Sequence, residues 1–587
     1  MEERTVEDLI KFRNEIMKDY KQHPDENCRS NKLDSDKSNG EKYGELFVRN
    51  EFSIDRDRIR FSRAFRRLEH KAQVYTYKKG DHFRTRLTHT LEVTQIATSL
   101  ARNLNLNEDL VEAISLGHDI GHTPFGHQGE RTLDKIMSGD DDLTGKIKYK
   151  IDYGGFKHNF HSLKILDLYE VKYENIDGMN LTWQVLEGIL KHTKTKRCKN
   201  DKCKNDKCKN CGKCWDLNRF TENENLHKYI SGHKEQQFSL TLEGQIVAIA
   251  DEIAQRQHDI DDGLRDVELN LRFDDVAKNL IKEFNNLLED NEYKDTIYAK
   301  NLDDLIKNIN GIKGIEKQVD RNNEDNNYRK ELFNINSLTR NIINFFIIDV
   351  TINSLNLLIE YDEKNKKQNS KIFEEKLIEF SEVGKKVNDI IENYINTRIL
   401  NSYNVNRFDG KAIYIVRQLF KAYYINPRQM PMYVLKRMSK KINDSLKKYE
   451  LKIKDDEKKD NDISKIDFIT SKKDRVNELI KLLKLELELN KLNIIGYLED
   501  GSKNLINLED LIKDDQKEDD YIRTYINKLN SEDIKSLNNE DIKSKSKDLF
   551  IKIILELHYI YLSTICDYIA GMTDNFATDE FQKLYLV

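Results

Sequence analysis

The 587-residue sequence has few residues that break helices. It contains only 4 prolines and 24 glycines, well below the ordinary usage of about 5% and about 7%. A β-sandwich or β-barrel needs frequent turn residues, so this scarcity argues against an all-β fold. Together with the abundance of Leu, Ile, Lys, Glu and Asn, it predicts an all-α protein.

Long apolar runs and a disulfide pattern are also missing. The most apolar long stretch, residues 341–359, contains Asp349 and several asparagines, which predicts a buried helix rather than a membrane span. The charged N-terminus predicts an amphipathic helix and not a signal peptide. Five of the seven cysteines are clustered between Cys198 and Cys214, so they do not form a disulfide framework. We therefore expect a cytoplasmic protein with no membrane partner.

Neither positive nor negative charge dominates the chain, which contains 98 Lys and Arg residues and 103 Asp and Glu residues. Composition alone therefore indicates neither an acidic nor a basic partner. Local composition and hydrophobic periodicity change along the chain and predict five parts. These are an N-terminal helix and arm (1–44), a core (45–275) with a Cys-rich loop (197–215), a helical extension (276–450), a charged insert or lobe rich in Lys, Asp and Asn (451–548), and C-terminal helices that pack back on the core (549–587).

Histidines are concentrated in one part of the chain. Nine of the fourteen lie between His70 and His192, so site chemistry is expected there. His89 lies on the apolar face of a predicted helix, and His118 lies on the apolar face of the next helix, directly before Asp119. Far downstream, Asp251 lies in an apolar stripe, where an unpaired carboxylate would be costly. These four side chains are predicted to point inward.

Imidazole nitrogens and carboxylate oxygens together are the ligands of hydrolytic divalent metals such as Mn, Fe, Zn, Co or Mg. Such an ion lowers the pKa of bound water or binds a phosphate. Any one of the four residues alone could instead be a hydrogen-bonded core residue. After the His118 helix, Pro124 and Gly126 must end the helical turn, and His127 can then meet Glu130 three residues later on the next helix. Glu130 alone could also be an ordinary solvated acid.

These residues and the segments around them resemble a known family. His89, His118-Asp119 and Asp251 match the H…HD…D signature of HD-domain phosphohydrolases. The wider match is to the deoxyguanosine triphosphate triphosphohydrolase (dGTPase) family. It is carried by DRDRIRFSRAFRRLEHKAQV, RLTHTLEV, GHDIGHTPFGHQGE, GGFKHNFHSLKIL, LEGQIVAIADEIA with HDIDDGL, and CDYIAGMTDNFA. The resemblance is dense over about residues 45–275 and recurs up to Ala577.

The resemblance implies an all-helical HD-domain core that cleaves a deoxynucleoside triphosphate (dNTP) to the deoxynucleoside and intact triphosphate. It implies that His89, His118, Asp119 and Asp251 hold a divalent metal (Mn, Fe, Mg or Co). His127 would be the general acid or base, oriented by Glu130, because the pKa of a histidine lies near working pH.

The resemblance also implies substrate contacts. Arg86, one turn before His89, matches a phosphate-binding arginine, and His122 and His158 match phosphate-contacting histidines. Gln73 matches a deoxyribose contact, and Asp259 matches a contact to the sugar 3′-hydroxyl. Only one or two members of a basic run, Arg63, Arg66, Arg67 and Lys71, are expected to touch substrate.

One position departs from the family pattern. Relatives often carry a tyrosine four residues after the metal aspartate, and this chain has Gln255. Base preference therefore stays open between dGTP and the other dNTPs.

The cysteine cluster allows two interpretations. Thiolates close together, with lysines that lower their pKa values, could bind a structural zinc ion through Cys203 (or Cys198), Cys208, Cys211 and Cys214. Alternatively, the cluster is a slipped CKNDK repeat without function.

Partners and rival functions follow from the resemblance. Relatives form homo-oligomers, often hexamers, and some are activated by dNTPs or bind single-stranded DNA. The lysine-rich stretch 435–475 could contribute to DNA binding, although its acids reduce the positive potential. The alternatives are an HD-domain phosphohydrolase of another nucleotide, such as an alarmone or a cyclic nucleotide, and a nucleotide-sensing or nucleic-acid-binding protein.

Overall fold

The computed structural model describes most of the chain. The described residues are 4–24, 29, 49–73, 83–147, 151–193, 195, 217–233, 236–289, 293, 295–314, 324–365, 371–442, 444–445 and 542–585. Within these ranges the regular structure is helical, and the extended pairings are two isolated bridges, Ala72–Thr85 and Val171–Gly178. The predicted all-α fold is confirmed.

The described part of the chain contains nineteen α-helices. In order they are α1 (Val6–Glu15), α2 (Met17–Tyr20), α3 (Glu51–Arg60), α4 (Arg63–Arg67), α5 (Arg86–Leu104), α6 (Glu108–Gly117), α7 (Gly126–Met137), α8 (His158–Lys164), α9 (Trp183–Lys191), α10 (Glu224–Gly232), α11 (Leu242–Arg265), α12 (Phe273–Leu288), α13 (Ile297–Gly314), α14 (Glu324–Lys364), α15 (Glu382–Ile395), α16 (Tyr403–Ile425), α17 (432–442), α18 (Ile542–Ala570) and α19 (Asp574–Tyr585).

Shorter helical segments lie between them. Four are 3₁₀ turns, at Leu68–His70, Leu217–Arg219, Val267–Leu269 and Pro427–Gln429, and two are π-helical, at Ile165–Tyr169 and Asn396–Leu400. The chain divides into two compact units. The first contains Met1–Gly126 and His158–Gly410, and the second contains His127–Lys157 and Lys411–Val587.

The core of the first unit is built around α5, which packs against α11, α6 and α14. The apolar stripe of α5 is fully buried, and it faces the buried stripe of α11 that includes Val247 and Ala250. Helix α6 also packs against α9, where a Cβ atom on Gly188 would lie only 2.5 Å from Cδ1 of Ile114. Glycine therefore permits the close approach of α9 to α6, the helix that ends just before His118.

The helices that carry the candidate site begin at side-chain caps. Thr85 accepts a hydrogen bond from the backbone N–H of Thr88 at the start of α5, and Asn107 accepts one from Leu110 at the start of α6. Thr241 caps α11 in the same way. Each cap satisfies a backbone donor that the first helical turn leaves unpaired, and so fixes where the helix begins.

The long helix α14 contains the apolar stretch that the sequence analysis predicts to be buried. By length and composition Arg329–Lys364 could cross a membrane, but half of its most apolar window is buried inside the protein. Asp349 is fully buried there and accepts hydrogen bonds from the backbone N–H and hydroxyl of Ser381, at 2.9 and 2.5 Å. Burial raises the pKa of Asp349 to about 6. This stretch therefore packs as a core helix of the first unit.

The second unit has its own apolar core. Leu133 and Ile136 of α7, Leu419 of α16, and Ile565 and Ile569 of α18 are buried in it. Polar contacts link distant segments of the unit: the Arg417 side chain pairs with Asp141 at 2.7 Å, and the Tyr561 hydroxyl donates to the Tyr424 carbonyl at 2.7 Å.

Four predicted features fall wholly or partly outside the described residues: the Cys-rich loop at 197–215 with its candidate zinc ligands, residues 451–541 of the charged insert, residues 25–28 and 30–44 of the N-terminal arm, and residues 446–475 of the lysine-rich stretch.

Candidate metal centre and surrounding residues

Three helices of the first unit bring the four predicted metal ligands together. His89 lies in the first turn of α5, His118 and Asp119 follow the end of α6, and Asp251 lies in the middle of α11. Nε2 of His89 lies 3.0 Å from Oδ1 of Asp251 and 3.7 Å from Oδ2 of Asp119. Nε2 of His118 lies 3.5 Å from Oδ1 of Asp119 and 3.7 Å from Oδ1 of Asp251.

These separations fit a single ion. Two atoms that are each about 2.1 Å from one metal ion lie at most about 4.2 Å apart, and the four separations are 3.0–3.7 Å. Nε2 of His118 is buried and has no hydrogen-bond partner among the described residues. An unpartnered buried nitrogen beside two carboxylates is the arrangement expected of a metal ligand. The His89, His118 and Asp119 cluster could therefore hold a divalent metal ion.

The His118 ring is oriented by the backbone. Its Nδ1 lies 2.6 Å from the carbonyl oxygen of Ser115, and a carbonyl oxygen can only accept, so Nδ1 carries the proton. The neutral ring then has its lone pair on Nε2, the atom that faces Asp119 and Asp251.

The His89 ring lies next to two further side chains that the sequence pattern did not predict as site residues. Its Nδ1 lies 3.1 Å from Nδ1 of His258 on α11, and Nε2 of His258 contacts the Glu92 carboxylate. Burial lowers the pKa of His258 to about 4, with the contact to Glu92 opposing the shift. The spacing in the sequence could have indicated both residues. Glu92 follows His89 by three residues and His258 follows Asp251 by seven, and each spacing keeps the pair on one helix face.

Both carboxylates of the cluster are held ionised. Burial alone would raise the pKa of Asp119, but the positive charge of Arg86 and the neighbouring histidines outweigh it, so this pKa lies well below its usual range. The Arg86 guanidinium donates to Asp119 at 2.6 Å, and both side chains are buried. For Asp251, the neighbouring His89 and His118 likewise outweigh burial and lower the pKa. Ionised carboxylates are ready to bind a cation.

Arg86 and Gln73 lie close to each other because an isolated β-bridge joins the residues next to them, Thr85 and Ala72. The backbone N–H of Arg86 donates to the Lys71 carbonyl at 2.9 Å, next to the Ala72–Thr85 bridge. Gly126, with a φ of +59°, fits between the two: an added Cβ would lie 3.2 Å from the Gln73 carbonyl oxygen and 3.3 Å from Nη2 of Arg86. Within the described ranges, Nη2 and Nε of Arg86 and Oε1 of Gln73 are buried without hydrogen-bond partners.

The two predicted phosphate-contacting histidines lie beside Asp119. The rings of His122 and His158 stack with their centroids 3.8 Å apart, and Nε2 of His122 lies 3.2 Å from Oδ1 of Asp119. Burial and the Arg86 charge lower the pKa of His122 well below its usual value. His158 contacts His192 through their Nε2 atoms at 3.1 Å, and His192 donates from Nδ1 to the Ile189 carbonyl. Because His192 must then accept at Nε2, His158 donates that hydrogen bond.

Asp259 lies two turns after Asp251 on α11 and is fully buried. Its Oδ1 has no hydrogen-bond partner in the part of the chain that the structure describes. Burial, with the negative charge of Asp262, raises its pKa to about 7. The half-buried Gln255 precedes it on the same helix.

The predicted acid–base pair belongs to the second unit, in the first turn of α7. Nδ1 of His127 lies 4.0 Å from Oε2 of Glu130, and the His127 side chain is half exposed. Of the basic run, Arg63 and Arg66 are exposed, whereas Lys71 is buried and its ammonium group contacts the carbonyl of His122. Lys71 is thus the member of this run that the fold turns toward the histidine cluster.

Comparison with known proteins gives matches in both units. The family model described as "HD domain" matches residues 86–256, and the model described as "Phosphohydrolase-associated domain" matches residues 562–583. A deoxyguanosinetriphosphate triphosphohydrolase-like protein of Nitrosomonas europaea is 33% identical over 383 residues, which are 65% of this chain and 82% of that protein.

Two further relatives carry the same description. The protein of Geobacter metallireducens is 33% identical over 411 residues, 69% of this chain and 86% of its own length. That of Nitrobacter hamburgensis is 47% identical over 221 residues, 37% of this chain and 48% of its own length.

Proposed function

The chain belongs to the deoxyguanosinetriphosphate triphosphohydrolase-like family of HD-domain phosphohydrolases, and on this premise we propose that it hydrolyses deoxynucleoside triphosphates to deoxynucleoside and inorganic triphosphate. dGTP and the other three dNTPs are the candidate substrates. The observation that carries the proposal is the convergence of His89, His118, Asp119 and Asp251, with a buried arginine beside them.

A divalent ion (Mn, Fe, Mg or Co) held by these four residues would lower the pKa of bound water and neutralise phosphate charge. The remaining work is done by side chains. Arg86 keeps guanidinium donors that Asp119 does not use, and these can bind phosphate oxygens. The imidazoles of His122 and His158 border the same carboxylate and are the candidates for further phosphate contacts.

The reaction consumes one water, which adds to the α-phosphorus while the bond to the sugar 5′-oxygen breaks. The leaving oxygen takes up a proton and becomes the hydroxyl of the deoxynucleoside. We assign this proton transfer to His127, as general acid or base, with Glu130 orienting its ring from the Nδ1 side. Gln73 and Asp259 are the proposed sugar contacts, because each has a buried side-chain oxygen that no described residue satisfies.

The proposal is tested by product analysis. Mn-loaded protein is incubated with each dNTP singly, with all four together and with the ribonucleotides, beside a His89→Ala control. Equal amounts of deoxynucleoside and tripolyphosphate, absent from the control, are the expected result. Activity in the mixture alone would reveal a dNTP activator site. No product in any reaction, with bound metal verified, would contradict the proposal and leave hydrolysis of another nucleotide as the alternative.

The same His89→Ala control distinguishes the proposed hydrolysis from a function in binding alone. If the protein senses nucleotides or binds single-stranded DNA without hydrolysis, DNA retention survives His89→Ala while wild type makes no product. Homo-oligomeric assembly, hexameric by the family resemblance, and a cytoplasmic location are part of the proposal.

The cysteine cluster lies outside the described residues, so the structural zinc ion is proposed from the sequence alone. We expect one zinc per chain in purified protein, and its loss in a Cys208→Ser/Cys211→Ser variant. Equal zinc in the two proteins would favour the repeat without function.

A further inference from the structure

A line of contacts leads away from the candidate metal centre through residues outside the predicted ligand set. Nδ1 of His89 lies 3.1 Å from Nδ1 of His258, and Nε2 of His258 contacts Oε2 of Glu92. We propose that His258, held by Glu92, is a positioning residue that fixes the His89 ring with Nε2 toward the metal. This inference rests on the metal centre of the proposed function and does not depend on which nucleotide is cleaved.

The positions of the protons follow from the order of the contacts. The Glu92 carboxylate can only accept, so the proton of the His258 ring lies on Nε2. In the neutral ring, Nδ1 of His258 then accepts from Nδ1–H of His89. His89 is left with its lone pair on Nε2, which faces Asp251 at 3.0 Å. The reverse order would protonate Nε2 of His89, and a protonated nitrogen cannot bind a metal.

The chain fixes its two metal histidines in different ways. The His118 ring is held by the Ser115 carbonyl at 2.6 Å, a backbone group that no substitution removes. The His89 ring is held by a side chain on another helix, because Glu92 lies on α5 and His258 lies on α11. The orientation of His89 is therefore open to a direct mutational test.

Glu92 is itself held in place although its side chain is 41% exposed. Nε of Arg84 lies 3.0 and 3.2 Å from its two carboxylate oxygens. Nη1 of the same arginine pairs with Asp261 at 2.5 Å and with Asp262 at 2.8 Å. Because the Arg84 guanidinium is already held by two other carboxylates, it loses little further conformational freedom when it also binds Glu92. The Glu92 carboxylate is therefore a fixed hydrogen-bond acceptor for His258.

The test compares two substitutions of His258. In His258→Gln the amide oxygen can accept from His89 and the amide nitrogen can donate to Glu92. In His258→Leu the volume is kept and both hydrogen bonds are lost. The matched control is His233→Leu, because His233 also pairs with a glutamate (Glu374, at 3.4 Å) and donates to a backbone carbonyl, but contacts none of the four proposed ligands.

Cobalt affinity and visible absorption are measured by titrating Co²⁺ into each metal-free protein, with thermal midpoints recorded in parallel. Removing a partner of this kind typically weakens metal binding about 10–100-fold, and this is the effect expected for His258→Leu. We expect His258→Gln to recover most of that loss and to keep the wild-type absorption band. His233→Leu should match wild type.

Two results would overturn the inference: cobalt affinity in His258→Leu equal to wild type, or a loss in His258→Gln as large as in His258→Leu, since the second indicates a packing role. Wild-type protein that binds no cobalt would overturn both the inference and the proposed metal centre. The expected series of affinities in a protein that hydrolyses no dNTP would refute the substrate assignment alone and support the inference.

Discussion

The two units keep their reactive histidines in opposite surroundings. In the first unit His89, His118 and Asp119 are almost completely buried, and each has a defined partner. In the second unit His127 is half exposed and lies 4.0 Å from the carboxylate of Glu130. Metal ligands need fixed lone pairs, which burial and hydrogen bonds supply. A group that exchanges protons with water needs access to solvent, and His127 has it.

Buried charge in the first unit is tolerated because it is compensated. Asp119 pairs with Arg86, and Arg84 binds three carboxylates. An unpaired buried charge would cost several kcal/mol, so these pairs and the cation that we propose would form one electrostatic arrangement. The comparison predicts that substitutions of the four candidate ligands act through the metal, whereas those at the proposed acid–base pair act on the rate alone.

The largest effect is expected at Asp251. Asp251→Asn keeps the shape of the side chain but removes a charged metal ligand, so we expect hydrolysis to fall at least about 10³-fold and metal affinity to fall with it. The neighbouring Glu252→Gln is the matched control, because Glu252 pairs with Arg256 and Asn388 on the helix surface. Steady-state kinetics and metal content measure both. An active, metal-free Asp251→Asn variant would break the link between ligand and rate.

A smaller loss is expected at His127. Removing a general acid or base lowers the rate about 10²–10⁴-fold, so His127→Asn should lower kcat within this range and leave metal affinity unchanged. Titration with Mn²⁺ beside the kinetic assay separates the two effects. A drop in metal affinity equal to that of Asp251→Asn would remove the distinction between the two units.

Metal removal should affect one unit more than the other. An ion present at about 100 times its Kd stabilises the form that binds it by about 2.7 kcal/mol. We therefore expect chelation to speed amide hydrogen exchange in α5, α6 and α11 and to leave α18 and α19 nearly unchanged. Equal acceleration in all five helices would contradict the placement of the ion in the first unit.

The smallest effect concerns a buried acid of the first unit that is held by backbone N–H groups. Glu243 accepts from the backbone N–H groups of Gln22 and Asn107, and burial raises its pKa to about 7. Its unfolded pKa is about 4.5, so wild type loses stability as the pH rises from about 4.5 to about 7, while the unfolded chain ionises and the folded chain does not.

Glu243→Gln should therefore be more stable than wild type by at least about 1 kcal/mol at pH 8 and equal to it at pH 4. Glu580→Gln in the second unit is the control, because Glu580 pairs with Lys583 at 3.0 Å. Thermal midpoints at the two pH values decide the matter. No gain at pH 8 would show that Glu243 is ionised in the fold, and an equal gain at both pH values would show a packing effect that does not depend on ionisation.

Local pattern predicts much of the first unit. The 3.6-residue period turns His89, His118 and Asp251 inward, and the cap at Asn107 marks the start of α6. The contact of His258 with His89 and Glu92 was not predictable in this way. It depends on the register in which α5 packs on α11, and that register is set by apolar contacts over more than 150 residues of sequence.

The division of the chain into two compact units could also not be predicted from residue spacing. Pro124 and Gly126 predict a break before His127, but not that the chain passes there into a second unit with its own core. The closeness of Gln73 to Arg86 likewise depends on the Ala72–Thr85 bridge, a pairing too short to leave an alternating pattern.

The most direct test of the central claim is a crystal structure of the Mn-loaded protein with anomalous difference maps. We expect one peak in the first unit, within about 2.0–2.3 Å of Nε2 of His89, Nε2 of His118 and an oxygen of both Asp119 and Asp251. A map without a peak at these four residues, from protein in which Mn is verified, would contradict it.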